Sequence, residues 1–261
     1  MEARHALVRR PSSRLAEGLV THIQRSDDVD VHLARRQWEG YVEAMRGAGW
    51  TIHEVPPAED CPDSVFVEDT MVVYDDLAVI SRPGAPERRP ETAAAEEAVR
   101  AQGYRIARIE PPGTLDGGDV LKHDGTVWVG QGGRTNAAGL SQLRDHLEPL
   151  GAEVVGVPLT KVLHLKSAVT ALPDGTVIGY EPLVDDPAEW ADRFLGVPEE
   201  AGSHVVLLGG DTVLMSTSAP RTASLFENRG LDVVAVDISE YEKLEGCVTC
   251  LSVRLRARPA N

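Results

Sequence analysis

One pattern of elements recurs along the 261-residue chain: a strand, a short turn, a second strand, a helix and a third strand. Four copies occupy residues 64–110, 113–159, 162–196 and 204–237, and the third of these ends after its predicted helix. Repeats of this length are typical of rings and solenoids, in which each unit packs against its neighbours. The repetition therefore predicts a fold built from equivalent ββαβ units.

Turn and helix signals define these units. The pairs Asp124-Gly125 and Asp174-Gly175 separate β-branched runs, which is the pattern of a tight β-hairpin. Residues 183–196 are helix-like. In the second copy, leucines recur at a step of three or four residues and a glycine follows them: Leu140, Leu143, Leu147, Leu150 and Gly151. This spacing predicts an amphipathic helix with a glycine at its C-terminal end.

The fifth copy is divided between the two ends of the chain. Residues 247–255 are predicted to form its first strand, whereas the second strand, the helix and the third strand come from residues 3–10, 31–49 and 50–55. A closed ring needs such a split unit to join its ends, and the first strands would converge on a central channel. We therefore expect an α/β ring of five ββαβ units, a single domain over residues 1–261 in which the C-terminal strand completes the split unit. A three-layer α/β sandwich is the alternative.

The composition limits the classes of ligand and partner. The formal net charge is −15 at pH 7, so the surface repels nucleic acids and anionic membranes and favours a cationic ligand. The chain has no apolar run long enough for a membrane span or a signal peptide. Its three cysteines do not make a disulfide framework. We expect a cytoplasmic protein with no nucleic-acid or membrane partner, and a homodimer is left open.

Polar residues recur at equivalent positions of the predicted first strands. Every copy contributes an acid, a histidine or a thiol there: Asp63, Glu68 and Asp69, then Asp116 and Asp119, then His164, then Asp211, then Cys250. Each residue alone has an ordinary explanation, such as a turn aspartate or a structural histidine. Because first strands converge in a ring, their recurrence predicts one shared central site.

A thiol, a histidine and several carboxylates suit a planar cationic substrate. The thiolate is the nucleophile, and an imidazole can activate it or act as acid and base. Carboxylates raise the pKa of a neighbouring thiol, but they bind a guanidinium through bidentate hydrogen bonds. Arg88 and Arg134 each follow a hairpin and precede a helix, where they could hold a carboxylate. These residues together describe a site for an arginine derivative.

The C-x-x-C pair, Cys247 and Cys250, has two other interpretations. A structural zinc site needs about four ligands in paired clusters, and the sequence lacks a second cluster. A redox pair should lie at the start of a helix, whereas residues 247–255 alternate as in a strand. A metal-binding or redox-sensing protein that uses Cys247, Cys250 and His164 is the non-enzyme alternative.

The motifs together resemble one enzyme family. The stretches PDSVFVEDT, RPGAPERRPE, GTLDGGDV, RTN, LHLKS and TCLS are similar to those of dimethylarginine dimethylaminohydrolases (dimethylargininases). The resemblance runs from residue 7 to residue 255. It implies the five-bladed, pseudo-symmetric α/β propeller (pentein fold) of the guanidino-group-modifying superfamily. It also implies hydrolysis of asymmetric dimethylarginine or monomethylarginine to citrulline and dimethylamine or methylamine, through a covalent cysteine intermediate.

The resemblance implies three catalytic residues. Cys250 is the expected nucleophile, His164 the general acid and base, and Asp116 the carboxylate that orients His164. Cys247 is taken as structural, and Asp119 and Asp211 match turn positions without a chemical role. No metal or organic cofactor is expected.

The resemblance also implies the residues that hold a small cationic arginine derivative. Six side chains are expected to contact the substrate or cover it: Leu19 on a loop over the site, Glu68 and Asp69 at the guanidinium, and Asp63, Arg88 and Arg134 at the amino-acid end. Arginine deiminases are the alternative within the superfamily. The resemblance to them would imply a motif with an acid two residues after the histidine. Lys166 occupies that position here, which leaves room for N-methyl groups.

Overall fold

The computed structural model describes residues 4–25 and 28–255. The described strands are β1 (Arg4–Val8), β2 (Trp50–Glu54), β3 (Met71–Tyr74), β4 (Leu77–Ile80), β5 (Arg105–Arg108), β6 (Val120–His123), β7 (Thr126–Gln131), β8 (Glu153–Pro158), β9 (Val169–Ala171), β10 (Val177–Gly179), β11 (Phe194–Gly196), β12 (Val206–Gly209), β13 (Thr212–Ser216), β14 (Asp232–Val236) and β15 (Val253–Leu255). The described α-helices are α1 (Val31–Gly47), α2 (Thr92–Ala101), α3 (Ala137–Leu147), α4 (Leu165–Ala168), α5 (Pro220–Asn228) and α6 (Ser239–Glu242). None of these helices is long and apolar enough to cross a membrane.

The strands form five three-stranded sheets with one shared topology, and each sheet is the core of one blade. The strand orders are β3-β4-β5, β6-β7-β8, β9-β10-β11, β12-β13-β14 and β15-β1-β2. In every sheet the first strand is antiparallel to the middle strand, and the middle strand is parallel to the last. The last sheet pairs β15 with β1, which confirms the predicted blade that the two ends of the chain share.

Five apolar clusters in the described residues lie at the five junctions between neighbouring blades. Strand β4 shows the reason. Leu77 and Val79 face the cluster shared with the second blade, whereas Ala78 and Ile80 face the cluster shared with the split blade. Because side chains alternate along a strand, each sheet supplies apolar surface to both of its neighbours. The remaining junctions close the ring, which confirms the fold of five units.

Two local predictions are wrong. Residues 183–196 do not form an α-helix: the segment contains 3₁₀ turns at Glu181–Leu183 and Pro187–Arg193, followed by β11. Pro187 has no backbone N–H, and Ala191 interrupts the second turn with a φ of 48°. The strand predicted over 247–255 is limited to β15, because a turn hydrogen bond from the Cys250 N–H to the Cys247 carbonyl precedes it.

Candidate active site

Four of the predicted site residues lie in turns that precede the first strand of a blade. Asp69 is in the 3₁₀ turn Val67–Thr70 before β3, and Asp116 directly precedes the turn Gly117–Asp119 before β6. His164 directly precedes α4, which leads into β9, and Cys250 precedes β15. The sequence placed them on the strands themselves. The structure places them one turn earlier, because strand positions such as those of β3 are filled by buried apolar side chains.

These turns bring distant residues to one small pocket. Seven predicted residues line it: Leu19, Asp63, Asp69, Arg88, Arg134, His164 and Cys250. The other lining residues, Phe66, Leu163, Leu244, Glu245 and Gly246, were not predicted. Each of these five lies within three residues of a predicted one or in the turn before Cys247, so proximity to the motifs was the available signal.

His164 is held between carboxylates of two blades. Its Nε2 lies 3.0 Å from Asp116 Oδ2, and its Nδ1 lies 3.8 Å from Asp69 Oδ1. Burial acts to lower the pKa of the imidazole, but Asp69 and Asp116 raise it to about 9. His164 is therefore protonated at neutral pH and can act as an acid.

The close approach of Asp69 and His164 requires a glycine between them. A β-carbon on Gly118 would lie 2.6 Å from Asp69 Oδ1 and 2.7 Å from His164 Nδ1. The Gly118 N–H donates to Asp69 Oδ1 at 2.8 Å, so the backbone binds the carboxylate directly. The GGD motif is therefore part of the site as well as a turn.

Asp119 positions the turn that carries His164, which the sequence reasoning missed. Its carboxylate accepts a hydrogen bond from the Leu165 N–H at 3.0 Å and another from the Thr135 hydroxyl at 2.6 Å. The same hydroxyl accepts from the Asp116 N–H at 3.2 Å. Burial raises the pKa of Asp119 to about 7. The signal in the sequence is the GGD motif of residues 117–119, which the sequence analysis explains as a turn.

Asp69 and Arg88 form a buried ion pair at 2.6 Å. Burial acts to raise the pKa of Asp69, but His164 and Arg88 lower it to about 2. Glu91 binds the Arg88 guanidinium from the other side at 2.8 Å. Arg88 is thus fixed at the pocket wall, with most of its donors already occupied.

Arg134 differs from Arg88 in its free donor. Its Nη1 is buried and has no hydrogen-bond acceptor among the described residues, and it lies 3.6 Å from Asp116 Oδ2. A buried, unsatisfied guanidinium nitrogen is costly unless a ligand completes it. Asp63 also lines the pocket, and its carboxylate accepts a hydrogen bond from the Leu19 N–H at 3.1 Å, which holds Leu19 at the pocket wall.

Cys250 and Cys247 lie side by side without a disulfide bond. Their Sγ atoms are 3.4 Å apart, and both residues are buried. The contact with Cys247, burial and the carboxylates of Glu68 and Asp69 raise the pKa of Cys250 well above its usual range. The nucleophile candidate is therefore protonated until a positive charge comes near it.

Glu68 does not lie where the sequence predicted. Its side chain binds Lys166 at 2.6 Å and Arg254, and it lines a separate cavity rather than the pocket of Cys250. A turn of adjacent residues directs Asp69 to one side and Glu68 to the other, where two cations neutralise it. Lys166 therefore serves as a counter-ion to Glu68.

Two further expectations are resolved by position. Asp211 lies in the hairpin between β12 and β13, away from the pocket, so it is not equivalent to Asp116.

Within residues 4–25 and 28–255, the ligand atoms that could share a metal ion belong to Asp69, Asp116 and His164, not to the cysteines of the predicted alternative. These three side chains are already bound to one another or to Arg88.

Comparison with known proteins gives the family. No family model matches the chain. The N(G),N(G)-dimethylarginine dimethylaminohydrolase of Streptomyces coelicolor is 64% identical over 256 residues, which cover 98% of each chain. The chain belongs to the dimethylarginine dimethylaminohydrolase family. The enzyme of the same name from Pseudomonas aeruginosa is 35% identical over 96% of this chain and 99% of the relative.

Solved dimethylarginine dimethylaminohydrolases have the same fold. The Pseudomonas aeruginosa protein, with serine in place of a cysteine and complexed with citrulline, is 34% identical, covers 98% of this chain and 100% of its own, and has a TM-score of 0.89. An adduct of a family member with S-methyl-L-thiocitrulline has 34% identity over 96% and 99% of the chains and a TM-score of 0.90. These likenesses confirm the predicted pentein propeller.

Proposed function

We propose that this protein hydrolyses Nω-methylated arginines to citrulline and dimethylamine or methylamine. The observation that carries the proposal is one pocket that contains a thiol, a protonated histidine, a buried carboxylate and an arginine with a free donor. The names of the two relatives support the same substrate class. Citrulline, in the solved complex with the Pseudomonas aeruginosa protein, is the expected product.

The pocket offers a partner for each end of a methylated arginine. Asp69 faces the substrate guanidinium, since its carboxylate is ionised and buried beside His164. Arg134 binds the α-carboxylate through its unsatisfied Nη1, with Arg88 beside it. Asp63, whose oxygens point at the loop of Leu19, binds the α-ammonium.

The substrate itself activates the nucleophile. Because neighbouring carboxylates and Cys247 raise the pKa of Cys250, the free protein holds a thiol. A guanidinium bound against Asp69 places a positive charge next to the sulfur and favours the thiolate, and the thiol proton is released to solvent because His164 is already protonated. Nucleophilic attack thus depends on a cationic substrate, which excludes neutral compounds of similar shape.

The first half of the reaction forms a covalent intermediate. The Cys250 thiolate bonds to the guanidinium carbon, and the bond from that carbon to the methylated nitrogen breaks. The departing amine takes its electron pair with it and receives a proton from His164, whose Nδ1 lies 3.8 Å from Asp69, beyond hydrogen-bond distance, while Nε2 is bound to Asp116. A thiouronium remains on the sulfur.

The second half regenerates the site. Neutral His164 removes a proton from water, and the water oxygen bonds to the carbon of the intermediate. The carbon–sulfur bond then breaks with its electron pair on sulfur, and the hydroxyl proton of the adduct passes to that sulfur. This step releases citrulline and restores the Cys250 thiol and the protonated His164. Asp116 fixes the ring orientation in both halves through its 3.0 Å contact, as a carboxylate partner does for a catalytic histidine.

The remaining sequence predictions stay proposals. We expect the chain to act as one catalytic domain over residues 1–261 in the cytoplasm. A homodimer also stays a prediction.

A citrulline-release assay tests the function directly. Purified protein is incubated with arginine, monomethylarginine, and asymmetric and symmetric dimethylarginine. We expect turnover of the monomethyl and asymmetric dimethyl forms, and none with Cys250→Ser. Preferred turnover of arginine would instead indicate a deiminase, and citrulline release by Cys250→Ser at the native rate would contradict the mechanism.

A further inference from the structure

Residues 18–25, named the lid segment, form no helix or strand and include Leu19 of the pocket wall. Leu19 lines the pocket, whereas the stretch 21–25 is exposed to solvent. A segment with so little regular structure needs other acceptors for its backbone N–H groups. The position of Leu19 therefore depends on which side chains bind the backbone of the lid segment.

The carboxylate of Glu245 binds three consecutive N–H groups of the lid segment. Oε2 accepts from Thr21 at 2.9 Å, and Oε1 accepts from His22 and, at 3.0 Å, from Ile23. Only 4% of the Glu245 side chain is exposed. Successive N–H groups that converge on one carboxylate form a concave anion site, and hydrogen bonds to a charged acceptor are strong.

The backbone of Glu245 is held in an unusual conformation at the pocket wall. Its φ of 60° is in the left-handed region, which glutamate rarely adopts. The next residue, Gly246, also lines the pocket, and a β-carbon there would lie 2.4 Å from the Phe66 ring. The turn therefore fits tightly against the site, and it directs the Glu245 side chain to the lid segment. Strained residues of this kind are concentrated at functional sites.

We propose that Glu245 is a positioning residue that holds the lid segment closed over the bound methylarginine. The lid segment has a second carboxylate anchor in Asp63, which binds the Leu19 N–H. If Asp63 also binds the substrate ammonium, as the proposed function requires, its carboxylate interacts with both the substrate and the Leu19 N–H. Glu245 is then the anchor whose carboxylate binds only the lid segment among these groups. This inference rests on the proposed function only where it predicts a change in KM for methylarginine.

Two variants separate the charge of Glu245 from its acceptors. Glu245→Gln keeps one acceptor oxygen without the charge, and Glu245→Ala removes both. Glu59→Gln is the matched control, because Glu59 also accepts an N–H from the N-terminal segment, at Ser13, but does not line the pocket. Thermal unfolding of all the variants verifies that each is folded.

The first measurement does not require methylarginine turnover. Alkylation of Cys250 by iodoacetamide in the free protein reports access to the pocket. We expect it to accelerate about tenfold in Glu245→Ala, less in Glu245→Gln, and not in Glu59→Gln. With asymmetric dimethylarginine, we expect KM to rise about tenfold in Glu245→Ala with kcat changed less than about threefold.

These outcomes distinguish the two proposals. Faster alkylation in Glu245→Ala, together with no citrulline release by the wild-type protein, would support the role of Glu245 and reject the proposed function. Alkylation and KM within about twofold of wild type in Glu245→Ala would overturn the role of Glu245. If neither variant folds, hydrogen exchange of the wild-type protein decides: fast exchange of the Thr21, His22 and Ile23 amides contradicts the proposal, and protection supports it.

Discussion

Asp116 and His164 lie 48 residues apart in the sequence, on neighbouring blades, and are joined by a 3.0 Å contact between a carboxylate oxygen and Nε2. Asp116 also accepts from the Gly84 N–H at 2.9 Å, so its second oxygen is tied to the first blade. The orientation of the imidazole is thus fixed by the packing of three blades.

Replacement of Asp116 by asparagine removes the charge and keeps the shape. Because Asp116 helps to raise the pKa of His164, we expect Asp116→Asn to lower that pKa and to reduce kcat/KM by about 100-fold or more. NMR titration of His164 and steady-state assays measure the two effects. Asp211→Asn, in a hairpin outside the pocket, should change neither.

His164 should make stability depend on pH. Its folded-state pKa is raised from 6.5 to about 9, so its protonated form stabilises the folded protein. This contribution is complete below about pH 6.5 and is lost as the pH rises through 9. Urea unfolding at pH 6 and pH 9.5 should show a larger loss for wild type than for His164→Gln. Equal losses would mean that the imidazole is not protonated in the folded state.

Cys247 should control the ionisation of Cys250. Its contact is the largest cause of the raised pKa of Cys250. In Cys247→Ala we expect the pH midpoint of iodoacetamide alkylation at Cys250 to fall by about one unit. Cys61→Ala serves as a control, because Cys61 lies outside the pocket. An unchanged midpoint would show that the carboxylates and burial alone set the pKa.

Arg134 should contribute to binding more than to the chemical step. In Arg134→Ala we expect KM for asymmetric dimethylarginine to rise about 100-fold with kcat within about fivefold, because the α-carboxylate is bound equally in ground and transition states. Arg221→Ala, at an exposed helix position, is the comparison. A large loss of kcat with unchanged KM would assign Arg134 to the orientation of Asp116 instead.

Lys166 should matter for stability through Glu68. Both side chains are at least nine-tenths buried, and Lys166→Met would leave Glu68 with Arg254 alone. We expect a loss of about 2 kcal/mol in the free energy of unfolding, because removal of one partner leaves a buried charge underneutralised. The double change Glu68→Gln with Lys166→Met should recover most of it. If Lys166→Met were as stable as wild type, water in the adjoining cavity would have replaced Lys166 as the partner of Glu68.

The sequence alone determined the blades. The short apolar run of strands such as β4 and the leucine spacing of α3 are local patterns, and their repetition along the chain predicted five units and the split blade. The positions of Cys250, His164 and Asp69 in one pocket followed from that repetition, because equivalent turns of a ring meet at its centre.

Only the tertiary structure decided how individual side chains are paired. Glu68 binds Arg254, which is 186 residues away, and Glu245 binds the backbone of Thr21, which is 224 residues away. The direction of Glu68, the role of Asp119 and the anchoring of the lid segment all depend on such contacts. No local pattern encodes them, because burial of a charge is decided by whichever partner the closed ring brings within hydrogen-bonding distance.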